Sequence, residues 1–211
     1  MLFRSHPWGE LITQIESQLG SPEESEPSEF VRDLRVDDLV ELINGAVSLA
    51  SATAAKSSAQ GAAPEDISRA TKSVIDIMQQ SSRKGDRSGN DLRQNNRVLW
   101  VDDQPNNNRY EINAFKSMGI EVDSALSTNQ GLQMLSKQNY GAVISDMGRP
   151  EGSQEGYVLL EKVRRQFGEI PFIIYAGSNA QRHKDEAFRR GAQGSTNHPQ
   201  ELFEMVTQVL A

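Results

Sequence analysis

From residue 97 to the end, the sequence alternates short apolar runs with segments of helical period, and this alternation limits the fold more than any other feature. The runs are Val98-Leu99-Trp100-Val101, Gly119 to Asp123, Tyr140 to Ser145, Pro171 to Tyr175 and a weaker one at 192–196. Helical segments follow them at 105–118, 127–138, 156–167, 180–190 and 199–210. The clearest runs are apolar on consecutive residues rather than on alternate ones, as in strands buried on both faces. Five such βα units specify a parallel sheet covered by helices on both sides. That is a doubly wound α/β domain over residues 97–211.

The upstream part has another character. Residues 1–29 hold a short helix opened by Pro7, with Leu11, Ile15 and Leu19 on one face, and then the acidic, Pro-interrupted linker Ser21 to Ser28. Residues 30–81 predict a helical hairpin. Val36, Leu39, Ile43, Val47, Ala50 and Ala54 line its first helix; Ile67, Ala70, Val74 and Met78 line its second, which opens at Pro64. The stripe is narrow and Ala-rich, so a second copy, as in a homodimer, or an upstream helical segment is expected to cover it. Residues 82–96 have the Gly, Ser and charge content of a flexible connector. Met1 to Ser5 resembles the translated end of a sequencing adapter, which implies a natural chain beginning further upstream.

Composition removes several classes of function. The net charge is −7, from 22 basic and 29 acidic residues. Residues 1–96 carry 10 basic and 15 acidic side chains and residues 97–211 carry 12 and 14, so neither part offers a basic field for nucleic acid. The absence of Cys excludes thiolate catalysis and disulfides and fits a cytoplasmic location. No stretch is long and apolar enough to span a membrane, although an upstream anchor is compatible with this sequence. His6, His183 and His198 show no metal-ligand spacing, and no His lies on the hairpin, where a phosphotransfer bundle needs one.

The chemistry gathers at the carboxyl ends of the strands. Asp102 and Asp103 end the first run and Asp146 ends the third. In the flavodoxin-like strand order 2-1-3-4-5 these strands are neighbours, and three carboxylates converge in one cleft. A lone Asp after a strand is an ordinary cap. Three together repel one another unless a cation balances them, and an all-oxygen site suits Mg²⁺. A carboxylate so placed can attack phosphorus.

The C-terminal 115 residues resemble the receiver domain of two-component response regulators. Val98 to Asp103 matches that family's first strand and acidic pair. Tyr140 to Asp146 matches its phosphoacceptor strand, with Pro150 four residues on, and Gly191, Ala192 and Pro199 match the frame of its fifth strand. The resemblance implies a Mg²⁺-dependent phosphoacceptor at Asp146, modified by a histidine kinase or a phosphotransfer protein. It further implies Asp102, Asp103, Asp146 and the backbone carbonyl of Gly148 as ligands of the ion, and a signalling rather than an enzymatic role.

The pattern also breaks. Ala176 stands where the family has Thr or Ser, with Ser178 two residues on, either reaching in or capping the next helix. His198 stands at the usual Lys position and Ser195 at that of the switch aromatic. The loop after Asp146 is two residues longer than usual and carries Arg149, either a substitute cation or a solvated loop residue. The alternative is therefore a pseudo-receiver, a phosphorylation-independent interaction or dimerisation module. A flavin-binding protein would need a phosphate-cradling loop where Asp102 and Asp103 stand, and a haloacid-type phosphatase a different acid spacing.

Overall fold

The structure is a computed structural model that describes residues 35–57, 62–84, 96–178 and 180–211. Two helices, α1 (Val36–Lys56) and α2 (Pro64–Lys84), precede the alternating part. There β1 (Arg97–Val101), α3 (Arg109–Ser117), β2 (Glu121–Ala125), α4 (Thr128–Leu135) and β3 (Ala142–Ser145) come first. They are followed by α5 (Glu155–Phe167), β4 (Phe172–Tyr175), α6 (Gln181–Arg189), β5 (Gly194–Thr196) and α7 (Pro199–Leu210). All five strands pair in parallel in the order β2-β1-β3-β4-β5, the flavodoxin-like topology. The expected helix at the start of the chain and most of the linker and connector lie outside the described residues. The second hairpin helix runs to Lys84, three residues past the expected boundary.

Side chains along each strand divide between two cores. On β1, Val98 and Trp100 enter one core with Ile144 and Ile173, while Leu99 and Val101 enter the other with Val143, Phe172 and Ile174. The segment expected as one helix over 105–118 is split. A 3₁₀ turn over Pro105–Asn108 leads into α3. The cause is local: Asp102 accepts hydrogen bonds from the Gln104 amide and the Asn108 side chain, both at 2.7 Å, and so holds the entry in a tighter coil.

The hairpin begins where acids favour a helix N-terminus. Asp38 accepts from the Arg35 amide at 3.0 Å, and Glu65 and Asp66 stand in the first turn of α2. Its stripe corrects the expectation of a second copy or an upstream helix. Leu42, Ala46, Leu49 and Ala50 of α1 and Ile67, Ala70 and Val74 of α2 share one core with Ala114 and Phe115 of α3 and Leu202, Phe203 and Val206 of α7. Small residues allow the approach. A Cβ added to Gly45 would lie 2.6 Å from Ser117 Oγ. Polar contacts fix the register: Ser73 Oγ donates to Glu204 at 2.8 Å and accepts from Gln200 at 2.9 Å. The hairpin is thus docked on the α3 and α7 face of the α/β domain.

Candidate functional site

Strand register assembles the site. Val101 of β1 pairs with Ser145 of β3, so the next residues, Asp102 and Asp146, leave the sheet side by side. The Asp146 amide donates to the Val101 carbonyl at 3.0 Å, and the Asp102 amide to the Ala125 carbonyl at 2.9 Å. Asp103 follows directly. Ligand oxygens of Asp102, Asp103 and Asp146 lie within 4.8 Å of one another. They face a cleft of about 540 Å³ that Gly148 also lines. All four residues expected around a metal ion are therefore brought together.

Their electrostatics differ. Asp102 is buried, and each of its oxygens holds a 2.7 Å hydrogen bond. Asp146 Oδ1 accepts from the Met147 amide at 2.6 Å. Burial nevertheless raises the Asp146 carboxyl above the usual carboxylate range, and the charges of Asp102 and Asp103 push it the same way, against the Met147 amide and Arg149. A carboxylate destabilised by burial beside two others is a donor set that fits a small hard cation, and Mg²⁺ takes such oxygens.

Arg149 is neither a solvated loop residue nor an open fork. It is 6% exposed. Its Nη1 donates to Ser145 Oγ and the Asp146 carbonyl, both at 3.0 Å, and its Nη2 to Thr128 Oγ1 at 2.9 Å. Thr128 in turn donates to Glu155 at 2.6 Å. The longer loop closes on itself, with Arg149 and Gly152 exchanging backbone hydrogen bonds of 3.0 and 2.9 Å. Gly156, at the start of α5, packs so close that an added Cβ would lie 2.7 Å from the Asp146 carbonyl oxygen. This network sets where the Asp146 backbone stands.

Residues 98–209 match the family described as the response regulator receiver domain, more than half of the chain. The chain belongs to the response regulator receiver family. Among curated relatives, the receiver is similar to sensor protein EvgS of Escherichia coli, 32% identical over 89 residues, which are 42% of this chain and 7% of that protein. It is also similar to sensor histidine kinase RcsC of the same organism, 26% identical over 113 residues, 54% of this chain and 12% of that one. The chain thus spans a small part of the length of these relatives. A solved putative response regulator from Chloroflexus aurantiacus is 27% identical, with a TM-score of 0.49, covering 54% of this chain and 96% of that one.

The receiver's departures take definite places. Ala176 lines the acidic cleft and brings no hydroxyl to it. His198 is exposed at the entry to α7 and does not line the cleft. Ser178 Oγ meets His183 Nδ1 at 2.7 Å and lines a neighbouring groove with Ser195, while Ala180 holds the N-cap of α6. Two residues at or beneath the cleft, Lys56 and Glu111, lay beyond sequence reasoning. Tyr175, at the end of β4, donates to the buried Glu111 of α3 at 2.7 Å, and the Lys56 ammonium from α1 lies 4.5 Å from the Tyr175 ring centroid. Lys56 and Tyr175 both line the cleft. Only Tyr175, the last apolar residue before Ala176, gave any sequence signal. Among the described residues, no helix is long and apolar enough to cross a membrane.

Proposed function

We propose that the chain is a phosphoacceptor in a two-component relay, taking a phosphoryl group on Asp146 from a histidine kinase or a phosphotransfer protein. The observation that supports it is the convergence of three carboxylates on one cleft, with Asp146 raised by burial and by the other two. Nothing in the packing of the sheet requires three acids there, and folding with them costs stability. Asp102, Asp103, Asp146 and the carbonyl of Gly148 would hold Mg²⁺. When bound, the ion lowers the cost of the Asp146 anion and offsets charge on the transferred phosphoryl oxygens. Asp102 is kept rigid by Gln104 and Asn108, and Asp146 is aimed by Met147 on one side and by Arg149 on its carbonyl. In this role the protein is a signalling receiver and not an enzyme.

A second reading, a phosphorylation-independent interaction module, is favoured by Ala176 in the cleft and the exposed His198. Incubation with Mg²⁺ and acetyl phosphate, followed by intact mass measurement, separates the two. An adduct of about 80 Da, one PO₃ unit, absent in Asp146→Ala, supports the phosphoacceptor. No adduct with acetyl phosphate or with a phosphorylated histidine donor leaves the interaction module.

A further inference from the structure

A phosphoryl group on Asp146 adds negative charge to a cleft already holding three carboxylates, and some fixed cation has to meet it. Two cationic side chains line the cleft, Arg149 and Lys56. Arg149 is spent. Both its terminal nitrogens donate to oxygens of Ser145, Asp146 and Thr128. His198 lies outside the lining.

Lys56 is placed differently. It is the last residue of α1, brought in by the docked hairpin. Its ammonium rests over the Tyr175 ring and, among the described residues, forms no ion pair. The register sets Tyr175 beside Asp146, because Ser145 pairs with Ile174 and the two residues follow those partners. One strand spacing, about 4.8 Å, separates such neighbours, and the four-carbon stem of a Lys spans that range.

We propose that Lys56 is the cation that meets the phosphoryl group on Asp146, so that modification tightens the hairpin's hold on the receiver. The inference rests on Asp146 being a phosphoacceptor. In the step itself, an Asp146 oxygen bonds to phosphorus while the bond from phosphorus to the donor atom breaks, an imidazole nitrogen in a phosphohistidine and an oxygen in acetyl phosphate. With acetyl phosphate, acetate leaves with that electron pair, and no proton moves. Lys56 contacts the transferred oxygens and thus ties α1 to the state of Asp146.

The test uses the whole chain with Mg²⁺ and acetyl phosphate, following the rate of the mass adduct in the wild type, Lys56→Gln and Lys56→Arg, with circular dichroism to confirm folding. Lys56 is exposed, so neither substitution opens a cavity. The expected result is labelling slowed about tenfold or more in Lys56→Gln, in line with the loss of one charge-stabilising donor, and largely restored in Lys56→Arg. Amide hydrogen exchange at residues 49–57 slows on labelling in the wild type and not in Lys56→Gln. Equal rates in the wild type and Lys56→Gln overturn the role of Lys56 while leaving Asp146 an acceptor. Equal losses in both variants overturn the charge argument, and unchanged exchange overturns the tie to α1. A wild type that never labels removes the phosphoacceptor, and this inference with it.

Discussion

Tyr175 donates a 2.7 Å hydrogen bond to Glu111, joining the end of β4 to α3 beneath the acidic cleft. Glu111 is 3% exposed, and burial raises its carboxyl above the usual range, outweighing the Tyr175 hydrogen bond and the nearby Lys56 charge. The folded chain then holds a proton there that the unfolded chain has released. Stability from this residue is present below the unfolded carboxyl value and is lost as pH rises through the folded one. Glu111→Gln keeps an acceptor for Tyr175 and removes the titration. Its melting temperature is expected to gain on the wild type as pH rises over the span above the ordinary carboxylate range. Parallel melting curves across that span would refute the buried charge.

Gly156 is fixed by contact rather than by dihedral angle. A methyl group there would press on backbone, 2.7 Å from the Asp146 carbonyl oxygen and 3.1 Å from Met147 Cα. Neither neighbour is the flexible end of a side chain. Gly156→Ala is expected to cost about 1–3 kcal/mol, as overpacking does, and to slow labelling of Asp146 by displacing its backbone. Urea melts and the mass assay read the two effects, and a variant normal in both would show that the loop yields freely.

Sequence and structure part company in an instructive way. The strands were legible because residues such as Leu99 and Trp100 are apolar in succession, a pattern imposed by burial on both faces. The acidic cluster was legible because strand ends fix where Asp102 and Asp146 must stand. The hairpin's destination was not, since a stripe of Ala and Leu fits many partners and only the surface of α3 and α7 selects one. Lys56 was invisible for the same reason: its place over Tyr175 exists only after docking. Arg149 misled because loop position suggests solvent, while its burial depends on Ser145, Thr128 and the Arg149–Gly152 bridge.

The shared core makes the hairpin part of one folding unit. Leu49 is 1% exposed and packs in the cluster that contains Phe115 and Phe203. Leu49→Ala is expected to lower stability by about 2–5 kcal/mol, the range for a buried Leu. In a Trp8→Phe background, loss of tryptophan fluorescence from Trp100, whose ring meets Phe115 edge-on in that cluster, should coincide with loss of helical circular dichroism. Two separate transitions would mean that the hairpin opens independently.

Arg149 spans groups that no shorter fork can reach together. Replacing it with Ala leaves Ser145 Oγ, Thr128 Oγ1 and the Asp146 carbonyl without their shared donor, at an expected cost of about 1.5–3 kcal/mol for hydrogen bonds to a charged group. Lys supplies charge at a single point and cannot donate to both Ser145 and Thr128, so Arg149→Lys should recover little. Thermal melts of the two variants test this. Full recovery by Lys would reduce Arg149 to a counter-charge for the acidic cleft.

Magnesium should stabilise the chain through Asp146 in a pH-dependent way. Burial and the charges of Asp102 and Asp103 raise this carboxyl, so without a cation its contribution is favourable below the unfolded value and declines as pH rises through the folded one. An ion held by the three carboxylates favours the charged form and reverses the trend. At a concentration about 100 times the dissociation constant the gain is about 2.7 kcal/mol. It should be largest near neutral pH, shrink as the acids protonate, and be strongly reduced in Asp103→Asn. Differential scanning calorimetry with and without the ion, at acidic and neutral pH, measures it directly. A gain that is the same at both, or unchanged in Asp103→Asn, would place the ion elsewhere on this acidic surface.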